Sequence, residues 1–207
     1  LRTDYIDVYQ LHNIQNESQW TQVQAIGGAL EALYDLKEQE KINHISVTSH
    51  NPDLAIKMIK SGYFATLMFI YNYLTTKPAE RLLPLCKKLN VGTIVMKPFG
   101  GGAFSNAHTA LKYVFNNPEV DIVIPGVISI SEAEENWNIW LGDLSLSKDE
   151  LDLIELDKKI LGDHFCRSCN YCQPCPQEIP ISTILRTEKQ VLRRRGWRER
   201  RTQMEKN

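Results

Sequence analysis

Four of the five cysteines lie within ten positions of one another, in the segment CRSCNYCQPCP. Cys166, Cys169, Cys172 and Cys175 are each separated from the next by two residues, and Pro176 follows the last. Four thiolates this close together can hold a zinc ion, hold an iron–sulfur cluster, or pair as disulfides. The spacing bears on the first two possibilities, and the redox state of the compartment bears on the third.

Zinc sites built from four thiolates usually consist of two C-x2-C pairs separated by a longer loop. Here only two residues separate every cysteine from the next, so no such loop exists. The bacterial ferredoxin run is C-x2-C-x2-C-x3-C-P, and this segment differs from it by one residue in the last gap. We therefore predict a 4Fe-4S cluster on the four cysteines, with zinc as the alternative; Cys86, between leucines in RLLPLCKKL, is predicted to be a buried core thiol.

The rest of the composition excludes several other classes of protein. Apolar residues make up 43% of the 207, enough for a core, and a net charge of −1 gives no general attraction to nucleic acid or membranes. No apolar run is long enough to span a bilayer and no secretory signal is visible, so we expect a cytoplasmic protein with reduced thiols and neither nucleic-acid nor membrane partners. The tail is basic but is predicted to be solvated; its arginines are Arg193, Arg194, Arg195, Arg198, Arg200 and Arg201.

Upstream of the cysteines, short apolar runs alternate with amphipathic stretches. The first long stretch, over 19–40, is predicted to be one helix on the spacing of Val23, Ile26, Leu30 and Leu33. A capping box over 147–150 starts a helix that ends near 162. The predicted strands are 5–11, 44–48, 66–70, 92–96 and 121–124, and the other helices are 51–60, 78–90, 105–116, 131–140 and one starting near 180.

Strict alternation of strand and helix indicates an α/β fold with a parallel sheet. An open doubly wound sheet is disfavoured because no G-x-G-x-x-G follows the first strand. Each strand also ends in polar or conformationally special residues, which is the pattern of the active face of a (β/α)8 TIM barrel. We predict a partial barrel over 1–145 that lacks three βα units, a cysteine-bearing extension over 146–181, and a helical, basic tail over 182–207.

Five strand-end segments, in this order and spacing, resemble strands four to eight of the aldo/keto reductases: DYIDVYQLH, ISVTSHN, FIYN, VMKPFGGG and IPGVISISEAEEN. The cysteine segment resembles the branch of that family with a C-terminal 4Fe-4S motif. The resemblance implies hydride transfer between a nicotinamide cofactor and a small carbonyl or alcohol substrate. Of the family's Asp, Tyr, Lys and His tetrad only the His is present, as His12, where it would polarise the carbonyl oxygen. Without the proton-donating Tyr, the chain alone is expected to be inactive.

The resemblance also assigns cofactor contacts. Ser49 and His50 match the Ser-Asn pair that holds the nicotinamide carboxamide, whereas Met68 replaces an amide-holding Gln and cannot donate a hydrogen bond. A glycine loop after the fourth strand matches the loop around the pyrophosphate. Tyr71 lies at the rim, with a core aromatic as the alternative role. The predicted cofactor residues of this group are Ser49, His50, Tyr71, Lys97, Pro98, Gly100 and Gly101.

The adenine end of the cofactor is matched by the last strand-end segment. Glu135 and Asn136 correspond to the pair that reads adenine. Glu132 falls where members that use NADPH place an arginine, and a carboxylate there would repel the 2′-phosphate. The resemblance therefore predicts NAD(H) in preference to NADP(H). The alternative is an ordinary helix start, where acidic residues are favourable anyway.

Two roles for the cluster are compatible with the sequence. It could transfer electrons to or from a redox partner, or it could hold the C-terminal extension against the barrel. Nicotinamide passes two electrons at once and a cluster takes one, so direct exchange needs a mediator, and no flavin motif is present. The alternative function is a non-catalytic iron–sulfur electron carrier or scaffold on a decayed barrel.

Overall fold

The computed structural model describes residues 2–161, 166, 172–185 and 187. In this part the strands are β1 (Ile6–Leu11), β2 (Ile42–Thr48), β3 (Thr66–Ile70), β4 (Gly92–Met96) and β5 (Ile122–Ile124). The helices are α1 (Glu17–Gln24), α2 (Ala29–Glu38), α3 (Pro52–Lys60), α4 (Lys77–Lys88), α5 (Ala107–Phe115), α6 (Ile130–Leu141) and α7 (Lys148–Leu161). A further short helix covers 181–185. Among the described helices none is long and apolar enough to cross a membrane.

The five strands form one sheet in the order β1-β2-β3-β4-β5, and every neighbouring pair is parallel. In a TIM barrel the strands lie side by side in the order in which they occur in the chain. In a doubly wound sheet this order reverses part-way across the sheet. The structure is therefore a five-stranded parallel half-barrel, as the strand ends predicted. Among the described residues, β1 and β5 each pair on one side alone and are the two edges of the sheet.

The core lies between the helices and one face of the sheet. Because successive side chains of a strand alternate between faces, this face receives every second residue, and those residues are almost fully buried. They include Ile45 and Val47 of β2, Leu67 and Phe69 of β3, and Val95 of β4, and they pack on Leu30, Leu33, Leu54, Met58, Ile59, Leu82, Leu83, Cys86 and Val114 of the helices.

The opposite face would line the inside of a complete barrel and is much more open. Met68 and Ile94 in the middle of the sheet are half-buried. At the edges, Val8 of β1 is 39% exposed and Ile122 of β5 is 52% exposed. Large apolar side chains are thus left in water on both edge strands.

The predicted single helix over 19–40 is wrong, because the chain breaks between α1 and α2. Gly27 adopts a left-handed φ of +73°. Gly28 is the N-cap of α2, and a Cβ there would lie 2.6 Å from the carbonyl oxygens of Ala25 and Gln22. Ile26, expected on the apolar face, is fully exposed in this turn. Close backbone approach at a Gly-Gly pair has overridden the helical spacing.

α7 begins at the predicted capping box and docks on α5. The Ser147 hydroxyl accepts from the Glu150 N–H at 3.2 Å, and the Glu150 carboxylate accepts from the Ser147 N–H at 2.8 Å. Glu150 also accepts from Lys112 of α5 at 2.9 Å, with both side chains largely buried. Burial acts to raise the pKa of Glu150, but the hydrogen bonds from Lys112 and Ser147 outweigh it and hold the pKa below its ordinary value. The carboxylate therefore stays ionised at neutral pH and anchors α7.

Cys86 is expected to be chemically inert in the folded protein. Its side chain is fully buried, and burial, with the charges of Asp121 and Glu119, raises its pKa to about 12. Since the thiolate is the reactive form, a variant with serine at the other four cysteines should react with a thiol reagent at pH 8 only after unfolding in guanidinium. Rapid reaction of the native variant would show that this part of the core opens readily.

Candidate active site at the carboxyl ends of the strands

The segments after β1 and β2 are fastened to each other. The Asn13 N–H donates to the Thr48 hydroxyl at 3.0 Å, and the Ile14 N–H donates to the Thr48 carbonyl at 3.0 Å. The Ser49 hydroxyl donates to the Ile14 carbonyl at 2.6 Å and accepts from the Asn51 N–H at 3.1 Å. Ser49 is 2% exposed. Its hydroxyl thus joins two backbone segments, and its predicted contact with a carboxamide stays a prediction.

His12 lies at the exposed end of β1, on the edge of the sheet where the candidate residues collect. The next residue, Asn13, has a left-handed φ of +61°, so the chain turns sharply at this point. The predicted role of His12 in polarising a carbonyl requires such a solvent-accessible position, but the role itself stays a prediction.

Side chains from three strand ends meet in one hydrogen-bonded chain. Lys97, after β4, places its Nζ 2.8 Å from Nε2 of His50, after β2. His50 Nδ1 lies 2.8 Å from Oδ1 of Asn13, after β1. The Gln15 amide also donates to that Asn13 oxygen. Sequence reasoning named Lys97 and His50 separately but did not connect them, because the contact spans 47 residues.

Two residues follow β3: Tyr71 packs in the core, and Asn72 hydrogen-bonds the backbone segments at the carboxyl ends of the strands. Tyr71 is 4% exposed, its ring packs 5.8 Å from that of Tyr113, and its hydroxyl accepts from Asn117 at 3.2 Å. This placement matches the core-aromatic alternative. Asn72 is 1% exposed and donates to the Lys97 carbonyl at 3.0 Å. Its Oδ1 accepts from the N–H groups of the next turn, 3.1 Å from Leu74 and 2.9 Å from Thr75. An asparagine directly after a strand is typical of the first residue of a turn, so the sequence carried a signal that Asn72 would bond to the backbone of this turn.

The predicted phosphate loop follows β4. Lys97, Gly100, Gly101 and Gly102 all have positive φ, whereas the side chain of Pro98 is fully buried. The Gly100 N–H donates to the Lys97 carbonyl at 3.0 Å. A Cβ added at Gly101 or Gly102 would meet nothing within 4 Å. The outer part of the loop is therefore open to an approaching ligand.

Replacing Gly100 by alanine is expected to destabilise the protein by about 1–3 kcal/mol. The residue has a φ of +58°, and a Cβ there would lie 2.5 Å from the ring of Phe104, which stacks on Tyr73 at 4.0 Å. The measurement is urea unfolding. Gly101 to alanine is the matched control, because it carries the backbone strain without the clash; an equal loss in both variants would contradict the packing argument.

At the adenine end, Glu132 is part of the cap of α6. Its carboxylate accepts from the Ile128 N–H at 2.8 Å, and its own N–H donates to the Ser129 hydroxyl at 3.2 Å. Glu135 is exposed and, with Glu134 and Asp143, lines a shallow groove beside α6. Asn136 is half-buried on the same helix. The helix-start alternative for Glu132 is thus realised, while the groove remains acidic.

α7 is tied to the same end of the sheet by a buried carboxylate. Asp157, 4% exposed, accepts from the Tyr73 hydroxyl, and from the Ser105 N–H at 3.0 Å. Burial, followed by the hydrogen bond and charge of Asp157, raises the pKa of Tyr73 well above its ordinary value. Leu161, the last residue of α7, packs in the cluster around Tyr73. The chain therefore leaves α7 beside the candidate site.

Three of the four clustered cysteines are described. Cys166 and Cys175 are half-buried, Cys172 is exposed, and all three are free thiols. Cys169 and the arginine-rich tail lie outside the described residues. Within the part of the chain that is described, no group of three or more His, Cys, Asp or Glu side chains is arranged to hold a metal. The cluster stays a prediction from the sequence.

A parallel half-barrel whose polar and glycine residues collect at the carboxyl ends of the strands has the architecture of the TIM-barrel proteins. The model of the aldo/keto reductase family matches residues 1–110, just over half of the 207. The chain belongs to the aldo/keto reductase family, whose homologues are oxidoreductases.

Two curated relatives agree with this assignment. The uncharacterized oxidoreductase YqkF of Bacillus subtilis (strain 168) is 28% identical over 102 residues, covering 49% of this chain and 31% of that protein. The probable aldo-keto reductase 1 of Glycine max is 21% identical and aligns with 88% of this chain and 66% of its own length. The chain thus spans between about a third and two thirds of these relatives.

Solved structures show the same fold. The holo form of aldo-keto reductase AKR11C1 from Bacillus halodurans has a TM-score of 0.60 at 22% identity, covering 75% of this chain and 60% of that one. A thermostable aldo-keto reductase, Tm1743, in complex with the inhibitor epalrestat, has a TM-score of 0.56 at 20% identity, covering 75% and 61%.

Proposed function

We propose that this chain is the C-terminal part of a nicotinamide-dependent oxidoreductase that acts on a small carbonyl or alcohol, and that three further βα units complete its barrel. The observation that carries the proposal is the joining of the ends of β1, β2 and β4 by one hydrogen-bonded chain of side chains, at the face where barrel enzymes bind substrate. The exposed apolar residues on both edge strands support the need for further strands, since edges of this kind are normally paired or covered.

The residues of this chain would position the reactants. When bound, the nicotinamide supplies the hydride. His12 would hold the carbonyl oxygen of the substrate, on which negative charge develops. The open backbone at Gly101 and Gly102 would receive the pyrophosphate, because N–H groups without side chains can approach phosphate oxygens closely. The missing Asp, Tyr and Lys would come from the completing units, so this chain alone would be inactive.

We propose NAD(H) as the preferred cofactor. Glu132, Glu134, Glu135 and Asp143 place carboxylates at the start of α6 and along its groove. Such a surface disfavours the extra phosphate of NADP(H), whereas a carboxylate can accept a hydrogen bond from a free ribose hydroxyl.

We further propose that Cys166, Cys169, Cys172 and Cys175 hold a 4Fe-4S cluster. The support is the spacing of the four cysteines and the proline that follows the last of them. A one-electron cluster and a two-electron hydride donor still need a mediator, so a role in fastening the extension remains equally compatible.

The test has two arms. Anaerobic purification should give broad visible absorbance with equal amounts of iron and sulfide, lost in a variant with serine at all four cysteines; zinc in their place would refute the cluster. The chain would then be co-produced with the three missing βα units of a family member and titrated with both reduced nucleotides. Tighter binding of NADPH would refute the cofactor preference, and binding of neither nucleotide by a completed barrel that holds the cluster would favour an iron–sulfur scaffold.

A further inference from the structure

The glycine loop after β4 is shaped by hydrogen bonds within its own backbone. The N–H groups of Gly102 and Ala103 donate to the Phe99 carbonyl at 2.9 and 3.1 Å. Gly100, Gly101 and Gly102 have positive φ in succession. Among the described residues the Gly101 N–H has no hydrogen-bond partner, and a Cβ at Gly101 would meet nothing within 4 Å. A backbone donor of this kind can approach a phosphate oxygen closely.

The two ends of this loop are held by side chains from outside it. At its start, the Asn72 amide donates to the Lys97 carbonyl at 3.0 Å. At its end, the Ser105 N–H donates to Oδ2 of Asp157 at 3.0 Å. Asn72 is 1% exposed and Asp157 is 4% exposed, so both contacts are shielded from water. The first anchor follows the neighbouring strand, whereas the second belongs to α7, which comes after the last strand of the half-barrel.

α7 supports the loop with one of its faces. Ile154, Asp157 and Leu161 are three and four positions apart and therefore lie on the same side of the helix. Ile154 and Leu161 pack in one apolar cluster with Phe99 and Phe104, the two aromatic residues of the loop. α7 thus gives the loop both apolar contacts and a hydrogen-bond acceptor.

Tyr73 connects Asp157 to the loop a second time. Its hydroxyl donates to the Asp157 oxygen that also accepts from Ser105, and its ring stacks on Phe104 at 4.0 Å. Burial raises the pKa of Tyr73 well above its ordinary value, so the hydroxyl keeps its proton and donates at neutral pH. One oxygen of Asp157 therefore holds the loop backbone directly and the Phe104 ring through Tyr73.

We infer that α7 positions the glycine loop for binding of a pyrophosphate, through the contacts of Asp157 with Ser105 and Tyr73. Asp157 is a positioning residue in this role, because it acts through the loop and not on the nucleotide itself. Without the carboxylate, both donors lose their partner and the loop spends less time in the conformation that binds. The apparent dissociation constant then rises as the competent fraction falls. This effect on affinity rests on the proposed function, whereas the hold on the loop rests on the contacts alone.

The first experiment measures amide hydrogen exchange by NMR in the chain as it stands. The Ser105 amide should exchange at least about tenfold faster in Asp157→Ala, because its acceptor is gone. Asp157→Asn should stay near the wild-type rate, since an amide oxygen can accept in the place of Oδ2. Met58→Ala is the matched destabilising control, because Met58 is fully buried in the main core and not in the cluster around the loop.

The control separates a local hold from general stability. Met58→Ala should leave the exchange of the Ser105 amide unchanged. An unchanged rate in Asp157→Ala, or an equal acceleration in Met58→Ala, would overturn the positioning role.

The second experiment titrates the barrel completed by co-production with NADH and, separately, with inorganic pyrophosphate. Asp157→Ala should weaken the binding of both by about tenfold, whereas Asp157→Asn should keep most of the affinity. Tyr73→Phe retains the bond to Ser105 and should fall between these two variants. NADPH carries the same pyrophosphate, so the ratio of NADH to NADPH affinity should not change.

The outcomes distinguish this role from the proposed function. Unchanged affinities in Asp157→Ala, despite faster exchange at Ser105, would overturn the link between the loop and the nucleotide. Affinity lost as fully in Asp157→Asn as in Asp157→Ala would overturn the role of the acceptor. If the wild-type completed barrel binds neither probe, the proposed function fails together with the nucleotide part of the inference, and the exchange measurement still decides whether Asp157 holds the loop.

Discussion

Replacing Asp157 by alanine is expected to lower the free energy of unfolding by about 3 kcal/mol. The carboxylate is 4% exposed and accepts hydrogen bonds from the Tyr73 hydroxyl and the Ser105 N–H. Removing it leaves two donors without their partner in a buried place, and each unsatisfied donor costs free energy. It also frees α7 from the ends of β3 and β4. The measurement is equilibrium unfolding in urea, followed by circular dichroism.

The matched control is Asp152 to alanine, on the exposed side of the same helix. It makes the same chemical change and should alter stability by less than about 0.5 kcal/mol. Tyr73 to phenylalanine completes a double-mutant cycle with Asp157, and a clear coupling energy is expected because the two groups are in direct contact. Equal losses in the Asp152 and Asp157 variants would show that helix propensity, and not the buried contact, sets the effect.

The architecture was predictable because its signals are local. Buried parallel strands appear in the sequence as short apolar runs, and their carboxyl ends appear as the polar residues that follow, such as Asn13, His50 and Lys97. Capping boxes are equally local, and the one at Ser147 starts α7 where it was predicted. The order of these signals was enough to predict the sequential sheet.

The parts that could not be predicted depend on contacts between distant residues. Asp157 is one acid among several in α7, and nothing in its neighbours marks it as the partner of Tyr73, 84 residues away. The contact of Lys97 with His50 depends on how far a long side chain reaches across β3. The break before Gly28 depends on backbone distances that hydrophobic spacing does not contain. In each case tertiary packing selects one of several locally acceptable states.

We expect a substitution on an edge strand to have a large effect on self-association of the chain. Lysine at Ile122 should greatly reduce self-association of the isolated chain, with a rise of about tenfold or more in the apparent dissociation constant. Ile122 is 52% exposed on β5, an edge strand with unpaired backbone groups, and Val8 is 39% exposed on the other edge. An apolar edge of this kind pairs with other strands, and a charge on it opposes that pairing because the ammonium would have to lose its water.

Ile26 to lysine is the control for this effect, because Ile26 is fully exposed in the turn between α1 and α2 and belongs to no strand. Sedimentation velocity over a range of concentrations separates the cases. If the edges drive association, Ile122 to lysine yields monomer while Ile26 to lysine behaves as wild type, and co-production of three completing βα units suppresses association without any substitution. If both lysine variants become monomeric to the same extent, general surface hydrophobicity drives the association. The result would then give no support for the attachment of further strands at the two edges.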